Sequence, residues 1–135
     1  MICNRMLDKD RRQQLSRLRL ELRRLREELA QTLKPGFEGT PLVKGNVYDR
    51  AYRCGAARCV CRRGQLHRNV GLGWSEAGRP RFRQVPPDRV GELRRKSADY
   101  LRLRQARATV TVLGKKIVGV LDQIQEVRRE EPFDA

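Results

Sequence analysis

The sequence predicts a mostly α-helical protein with a small β insertion, in which two long helices form an antiparallel coiled-coil hairpin that holds a zinc-knuckle and β-hairpin module. Three observations predict this class: a leucine-rich or heptad pattern at each end of the 135-residue chain, a central stretch with most of the glycines, and three cysteines and the single histidine inside that stretch. The predicted segments of this one structural domain are an N-terminal helix (1–35), a basic module (36–86) and a C-terminal helix (87–135).

The first helix is predicted from Asp8 to Leu33. Its leucines recur at alternating spacings of three and four, which makes a narrow apolar seam with charge on the other faces. The seam consists of Leu15, Leu18, Leu22, Leu25 and Leu29. Lys34-Pro35-Gly36 ends the helix, because proline cannot continue the hydrogen-bond ladder and glycine readily takes a left-handed conformation.

The central module alternates short β-type runs with turn residues. Strands are predicted near Asn46 to Arg53, Arg68 to Trp74 and Arg81 to Val85. Val70, Leu72 and Trp74 alternate along the second strand and would cover a very small core. A sheet of this size needs a helix against it, a metal, or both.

The second helix is predicted to begin after Pro86-Pro87-Asp88 and to run to about Glu131. All eight positions of its heptad seam are apolar. They are Leu103, Val110, Ile117 and Ile124 at one position, and Ala106, Leu113, Val120 and Val127 at the other. Gly114 and Gly119 follow a β-branched run, so a weak or kinked helix is expected between them.

The unequal helix lengths predict an assembly. In a simple hairpin Leu33 would lie near Val90 and Leu15 near residues 100–107, which leaves the seam from Leu113 onward without a partner in its own chain. A homodimer would bury that overhang. The predicted oligomerisation residues are Leu113, Ile117, Val120, Ile124 and Val127. The alternative is a monomer whose second helix bends back at Gly114 or Gly119.

The cysteines and the histidine form the motif Cys54-x4-Cys59-x-Cys61-x5-His67. Three thiolates and one imidazole are a ligand set that structural zinc prefers, and the expected cofactor is Zn²⁺. Alternation along an extended strand would place Cys59 and Cys61 on one side. The alternatives are a disulfide from Cys54 to Cys59 or Cys61, or small buried side chains with His67 facing solvent. Cys3 is expected to be a free thiol.

The charge indicates a polyanionic partner. The net charge is +15, and between Lys44 and Arg83 ten basic residues face two acidic ones. Nucleic acid is the expected partner, DNA before RNA. The candidate phosphate contacts are Arg50, Arg53, Arg58, Arg62, Arg63, Arg68, Arg79, Arg81 and Arg83. Four aromatic residues among them are candidates either for base stacking or for the core of the sheet. These are Tyr48, Tyr52, Trp74 and Phe82.

The Cys-Gly-x3-Cys-x-Cys run with a following histidine resembles a family of short bacterial proteins of unknown function that are often encoded near transposases and other mobile elements. The resemblance covers about Gly45 to Tyr100. It rests on Gly45-Asn46, Arg53-Cys54-Gly55, Cys59-Val60-Cys61, Gly64, His67, Trp74 and Val85-Pro86. The family usually continues from the histidine into Gly-Pro-Tyr, whereas here Arg68-Asn69-Val70 follows. The resemblance implies a metal-binding, DNA-associated accessory protein.

Together these observations predict a zinc-dependent nucleic-acid-binding accessory or regulatory protein that dimerises through its helices. The alternative is a coiled-coil scaffold for a protein partner, with a purely structural zinc knuckle. An enzyme is not expected, because the single histidine is assigned to the metal and no paired-carboxylate or Ser/His/Asp set is visible. No membrane span or apolar leader is seen in the sequence, so a cytoplasmic location is expected.

Overall fold

A computed structural model describes residues 8–133, which form two long α-helices and one three-stranded antiparallel sheet. The mostly helical class with a small β insertion is confirmed, and every element lies within three residues of its predicted bounds. In chain order the elements are α1 (Lys9–Thr32), β1 (Asn46–Tyr52), β2 (His67–Glu76), β3 (Arg79–Gln84) and α2 (Val90–Arg128). Short 3₁₀ turns occur at Lys34–Phe37, Val60–Arg63 and Pro87–Arg89. None of the helices described is long and apolar enough to cross a membrane.

The described chain divides into two compact units. The helical unit contains the residues up to Phe37 together with those from Gln105 onward, and the sheet unit runs from Glu38 to Arg104. The sheet unit therefore extends beyond the predicted module, because it includes the first part of α2.

The bounds of α1 follow from its local chemistry. The carboxylate of Asp8 accepts a hydrogen bond from the backbone N–H of Arg11 at 2.9 Å, which caps the first turn. At the other end the N–H of Leu33 donates to the carbonyl of Leu29, and the chain then tightens into the 3₁₀ turn that contains Pro35 and Gly36.

The core of the helical unit joins the two predicted seams. Leu25, Leu113 and Val120 are buried at its centre. Five partly buried residues pack against them: Leu18, Leu22, Leu29, Ile117 and Ile124. All eight predicted seam positions of α2 are buried or half-buried, so the predicted apolar faces of both helices are confirmed.

The predicted pairing of the helices was wrong. The simple hairpin would place Leu25 opposite the beginning of α2, whereas Leu25 packs with Leu113 and Val120. The reason is that the chain after α1 contains a segment, residues 38–45, which itself lies along the beginning of α2. The seam from Leu113 to Ile124 thus has a partner within its own chain, and the overhang that motivated a dimer is absent from the described residues. Dimerisation itself stays a prediction.

Helix α2 is uninterrupted from Val90 to Arg128. The expected weakening between Gly114 and Gly119 is not observed, and neither is a helix that bends back at either glycine. Leu113, Ile117 and Val120 are packed into the core of the helical unit, and burial of these side chains outweighs the low helix propensity of the two glycines.

In the sheet unit, β2 lies between β1 and β3, and both pairings are antiparallel. Because directly paired residues point to the same side of a sheet, the register defines two faces. The apolar face contains Val47, Val70, Leu72 and Trp74. Val85 continues this face beyond β3, where it is buried and its N–H donates to the carbonyl of Val70. The alternation predicted for β2 is confirmed.

The opposite side of the sheet is called the aromatic face. It contains Tyr48, Arg50, Tyr52, His67, Asn69 and Phe82. The register also places Gly71 and Gly73 on this side of the central strand.

Residues 38–45 run beside the first part of α2 within the sheet unit. Backbone and side-chain hydrogen bonds join the two segments. They are Val43 N–H to the Lys96 carbonyl (3.2 Å), Thr40 Oγ1 to Asp99 (3.1 Å), Arg102 to Glu38 (2.8 Å) and Ser97 Oγ to the Gly45 carbonyl. The carboxylate of Glu38 holds the pKa of Arg102 above its ordinary value, and Lys96 holds the pKa of Glu92 below its own.

Candidate metal centre

Four predicted ligands meet where β1 ends and β2 begins. Cys54 follows β1, His67 is the first residue of β2, and Cys59 and Cys61 lie in the loop between the strands. Tyr52 pairs directly with His67, so the strand pairing closes this loop at its base. The ligand atoms of all four side chains lie within 4.8 Å of one another, so they are close enough to bind one metal ion.

The distance between two of the sulfurs is close to the value expected around a small tetrahedral ion. Cys54 Sγ lies 3.6 Å from Cys61 Sγ, and Cys59 Sγ lies 3.0 Å from His67 Nε2. A tetrahedron with zinc–sulfur bonds of about 2.3 Å has sulfur–sulfur edges of about 3.8 Å. The three sulfurs are free thiols, and the shortest recorded separation is far longer than a disulfide bond of about 2.05 Å. The disulfide alternatives are therefore not what this structure contains. Cys3 lies outside the described residues.

The two cysteines separated by one residue meet through a turn and not through an extended strand. Cys59 precedes the 3₁₀ turn Val60–Arg63, whose first bond joins the N–H of Arg62 to the carbonyl of Cys59 at 3.1 Å. Gly64 ends the turn with a φ of 100°, a conformation that residues with a side chain rarely adopt. The strand geometry predicted for this pair was wrong, because the turn curls the chain around the site.

The surroundings of Cys59 and Cys61 shift the pKa values of these two thiols in opposite directions. A hydrogen bond from the backbone N–H of Cys61 is the largest of several contacts that lower the pKa of Cys59, to about 6. Cys61 has no exposed surface, and burial raises the pKa of its thiol. A bound cation would stabilise all three thiolates, and the buried Cys61 would gain most, because its charge has no water to solvate it.

The predicted arginines surround this centre without being neutralised. Six arginines and no acidic residue lie between Asp49 and Glu76. Within residues 8–133, no carboxylate forms an ion pair with the five that lie in or beside the ligand loop: Arg53, Arg58, Arg62, Arg63 and Arg68. All five side chains are exposed. They are thus free to contact an external anion.

The nine predicted phosphate contacts do not share one surface. The register places Arg68, Arg79, Arg81 and Arg83 on the side of the apolar face, and Arg81 pairs with Glu76 at 3.6 Å. Arg50 lies on the aromatic face and is half-buried.

The structure also separates the four aromatic candidates. Trp74 belongs to the apolar face, whereas Tyr48, Tyr52 and Phe82 lie on the other side of the sheet. There the guanidinium carbon of Arg50 lies 4.2 Å from the centre of the Phe82 ring and 5.1 Å from that of Tyr52. The Tyr52 ring lies 5.5 Å from the ring of His67. The contact between Tyr52 and the candidate ligand His67 was not predicted from the sequence, although the i, i+2 spacing of Tyr48, Arg50 and Tyr52 indicates that these three residues share a face.

Fold and site together define a class: a basic, mostly helical protein whose small antiparallel sheet carries a Cys3His group able to hold a metal ion. One comparison with known proteins identifies the family. A family model described as a domain of unknown function (DUF6788) matches residues 11–95, which is more than half of the chain, and the protein belongs to this family. No curated protein and no solved structure matches the chain significantly.

Proposed function

We propose that this protein is a zinc-dependent nucleic-acid-binding accessory or regulatory protein, in which the Cys3His zinc knuckle folds the sheet unit and the arginines around it contact phosphates. The observation that carries the proposal is the coincidence of the ligand group with the unpaired arginines. The role is binding and not catalysis, because four protein ligands would leave zinc no open position for water.

Zinc is favoured over other ions by the donor set. Three sulfurs and one imidazole nitrogen are typical of structural zinc, while calcium and magnesium require oxygen ligands. A metal ion would also stabilise the sheet unit. Its sheet has only three strands, and small folds commonly gain stability from a structural metal.

The charge distribution supports an anionic partner for the sheet unit. From Glu38 to Arg104 there are sixteen basic and six acidic residues, a net charge of +10 out of the +15 of the whole chain. Arginine presents a planar fork of donors that matches phosphate oxygens, and nucleic acid is the commonest polymer of phosphates in a cell. We favour DNA before RNA. The mobile-element setting implied by the resemblance is part of this proposal.

A second candidate function is a coiled-coil scaffold for a protein partner, in which zinc is purely structural. It is favoured by an open groove on the helical unit, where Leu18 and Val127 lie between polar side chains. If this candidate is correct, chelation of zinc will unfold the sheet unit and leave partner binding by the helices intact.

The salt dependence of binding tests the main proposal. If about six arginines contact phosphates, log K for a duplex oligonucleotide falls with log salt at a slope of about −5. We expect the triple replacement of Arg58, Arg62 and Arg63 by glutamine to reduce the magnitude of that slope by about 3.

The matched control removes the same charge elsewhere. Arg19, Arg23 and Arg24 are exposed on α1, and their replacement by glutamine is expected to leave the slope nearly unchanged. Equal effects of the two triple variants would show unspecific attraction to a basic chain. Absence of binding by the zinc-loaded protein at low salt would exclude the proposed function.

A further inference from the structure

We infer that the aromatic face of the sheet is a base-stacking surface, so that this protein binds single-stranded nucleic acid more tightly than duplex. This inference rests on the proposed function and names the form of nucleic acid that the module recognises.

Two glycines of the central strand make room for the rings. A Cβ atom added to Gly71 would lie 2.0 Å from the Phe82 ring, and one added to Gly73 would lie 2.8 Å from the ring of Tyr48. The rings of the two outer strands therefore lie directly over the backbone of β2. Any other residue at either position would displace a ring from the sheet, so this face depends on the two glycines.

The aromatic side chains continue as a row toward the candidate metal centre. Tyr48 and Phe82 have their ring centres 5.7 Å apart, and Arg50 lies between Phe82 and Tyr52. Tyr52 in turn neighbours His67, a ligand of the candidate metal centre. Zinc binding would fix His67 and with it the inner end of the row.

The aromatic face has the properties of a binding surface and not of a protein core. Tyr48 remains 41% exposed although its ring covers Gly73. On the same face, Nε of Arg50 and Oδ1 of Asn69 are buried without hydrogen-bond partners among the described residues, and these two residues are directly paired across β1 and β2. The apolar face, in contrast, holds the buried Val85 and supplies the core.

The chemistry of this face selects unpaired bases. An exposed ring stacks on a base that is free on at least one side, and the bases of a duplex are already stacked on one another. The unpaired arginines of the adjoining ligand loop supply contacts to the phosphates of the same strand. These include Arg53, Arg58, Arg62 and Arg63. Aromatic rings beside a basic groove are the usual combination in proteins that bind single strands.

The test compares single-stranded and duplex binding by the zinc-loaded full chain. The probe is a fluorescent oligothymidylate of about 16 nucleotides, a length within the site size of small single-strand-binding folds, with an oligouridylate and a duplex as further arms. We expect Tyr48→Leu to weaken single-strand binding about 5- to 100-fold, which is the effect of losing one stacked base, and to leave duplex binding unchanged. The oligouridylate arm determines whether RNA is bound as well as DNA.

Two further variants control for the fold and for exposed aromatic surface in general. Tyr48→Phe retains the ring and is expected to retain single-strand affinity. Phe37→Leu removes an aromatic side chain that is 86% exposed in the 3₁₀ turn after α1, and it is expected to change nothing. Zinc content measured on each variant shows that the sheet unit is intact.

The outcomes separate the two proposals. If binding depends on salt but is the same in Tyr48→Leu and the wild type, the stacking proposal is wrong and the proposed function stands. A preference for duplex leads to the same conclusion. Loss of affinity in Tyr48→Phe equal to that in Tyr48→Leu also overturns the stacking proposal, because the ring would then not be the contact. Absence of binding to all three probes overturns the proposed function itself.

Discussion

At the scale of single residues, Cys61 is the most deeply buried of the four candidate ligands. Its sulfur has no exposed surface, and it lies 3.6 Å from Cys54 Sγ. Burial raises the pKa of this thiol, so without a cation the buried side chain stays neutral. In the proposed zinc-bound state the same burial protects the thiolate from water and protons.

We expect Cys61→Ser to weaken zinc binding by more than about 100-fold, because loss of a direct ligand costs more than loss of a hydrogen-bond partner of a ligand. The measurement is a competition titration with a zinc chelator. Val60→Ser is the matched control, since Val60 adjoins two ligands and is exposed, and it should bind zinc like the wild type. If Cys61→Ser and the wild type bound zinc with equal affinity, Cys61 would not be a zinc ligand.

Gly71 tests the aromatic face independently of any ligand. We expect Gly71→Ala to destabilise the zinc-loaded protein by about 1–3 kcal/mol, because the new methyl group overlaps the Phe82 ring and forces it to move. Gly39→Ala is the control, since nothing lies within 4 Å of its Cβ position. Chemical denaturation measures the free energy of unfolding of both variants. A Gly71→Ala protein as stable as Gly39→Ala would mean that Phe82 does not cover β2.

That the four candidate ligands lie together could be predicted from the sequence, because their residue types and close spacing are characteristic of a metal group. The turn that joins Cys59 to Cys61 could not, since short apolar and basic runs fit either a strand or a 3₁₀ turn. The division of the arginines between two faces depends on the strand register. A shift of one residue would exchange the faces, and the sequence does not specify the register of so short a sheet.

At the scale of elements, the helical unit is held by a small number of apolar contacts. Leu113 is 1% exposed and lies in one cluster with Leu25 and Val120. We expect Leu113→Ala to lower the free energy of unfolding by about 2–5 kcal/mol through the lost contacts and the cavity. Its neighbour Val112 is 53% exposed, and Val112→Ala should change stability by less than about 0.5 kcal/mol. Similar effects of the two variants would contradict the observed pairing of α1 and α2.

Gly114 and Gly119 are expected to reduce the stability of α2, and no close packing requires a glycine at either position. Nothing lies within 4 Å of the Cβ position of Gly114 or of Gly119. Each replacement by alanine should therefore raise the free energy of unfolding by about 0.5–1 kcal/mol. Gly78→Ala provides the contrast, because Gly78 has a φ of 76° and alanine there should destabilise the turn between β2 and β3. Destabilisation by Gly114→Ala would indicate a neighbour on that side of the helix.

The bounds and apolar faces of the helices could be predicted because caps, prolines and seam spacing are local properties of the sequence. The pairing of the helices could not. One heptad resembles the next, so the seams alone do not fix which turns meet. The pairing depends on the hydrogen bonds that residues 38–45 form with α2, such as Thr40 to Asp99 and Arg102 to Glu38, and these polar contacts follow no periodic pattern.

At the scale of the whole molecule, charge and apolar packing are distributed unequally. The helical unit has the clustered apolar core, whereas the sheet unit has two thirds of the net charge and the four candidate metal ligands. The sheet unit has a net charge of +10, and repulsion among these charges opposes its folding. A metal cross-link and an anionic partner would both offset that repulsion, so zinc and nucleic acid are expected to stabilise the same unit.

We propose that a zinc ion bound by Cys54, Cys59, Cys61 and His67 folds the sheet unit. Native mass spectrometry of the purified chain before and after chelation, with circular dichroism of the same samples, is the decisive measurement. We expect one zinc per chain, and we expect chelation to remove the zinc together with the β-sheet spectrum while most helical ellipticity remains. A chain that carries no metal, or one that keeps its sheet spectrum after the metal is removed, would contradict this proposal.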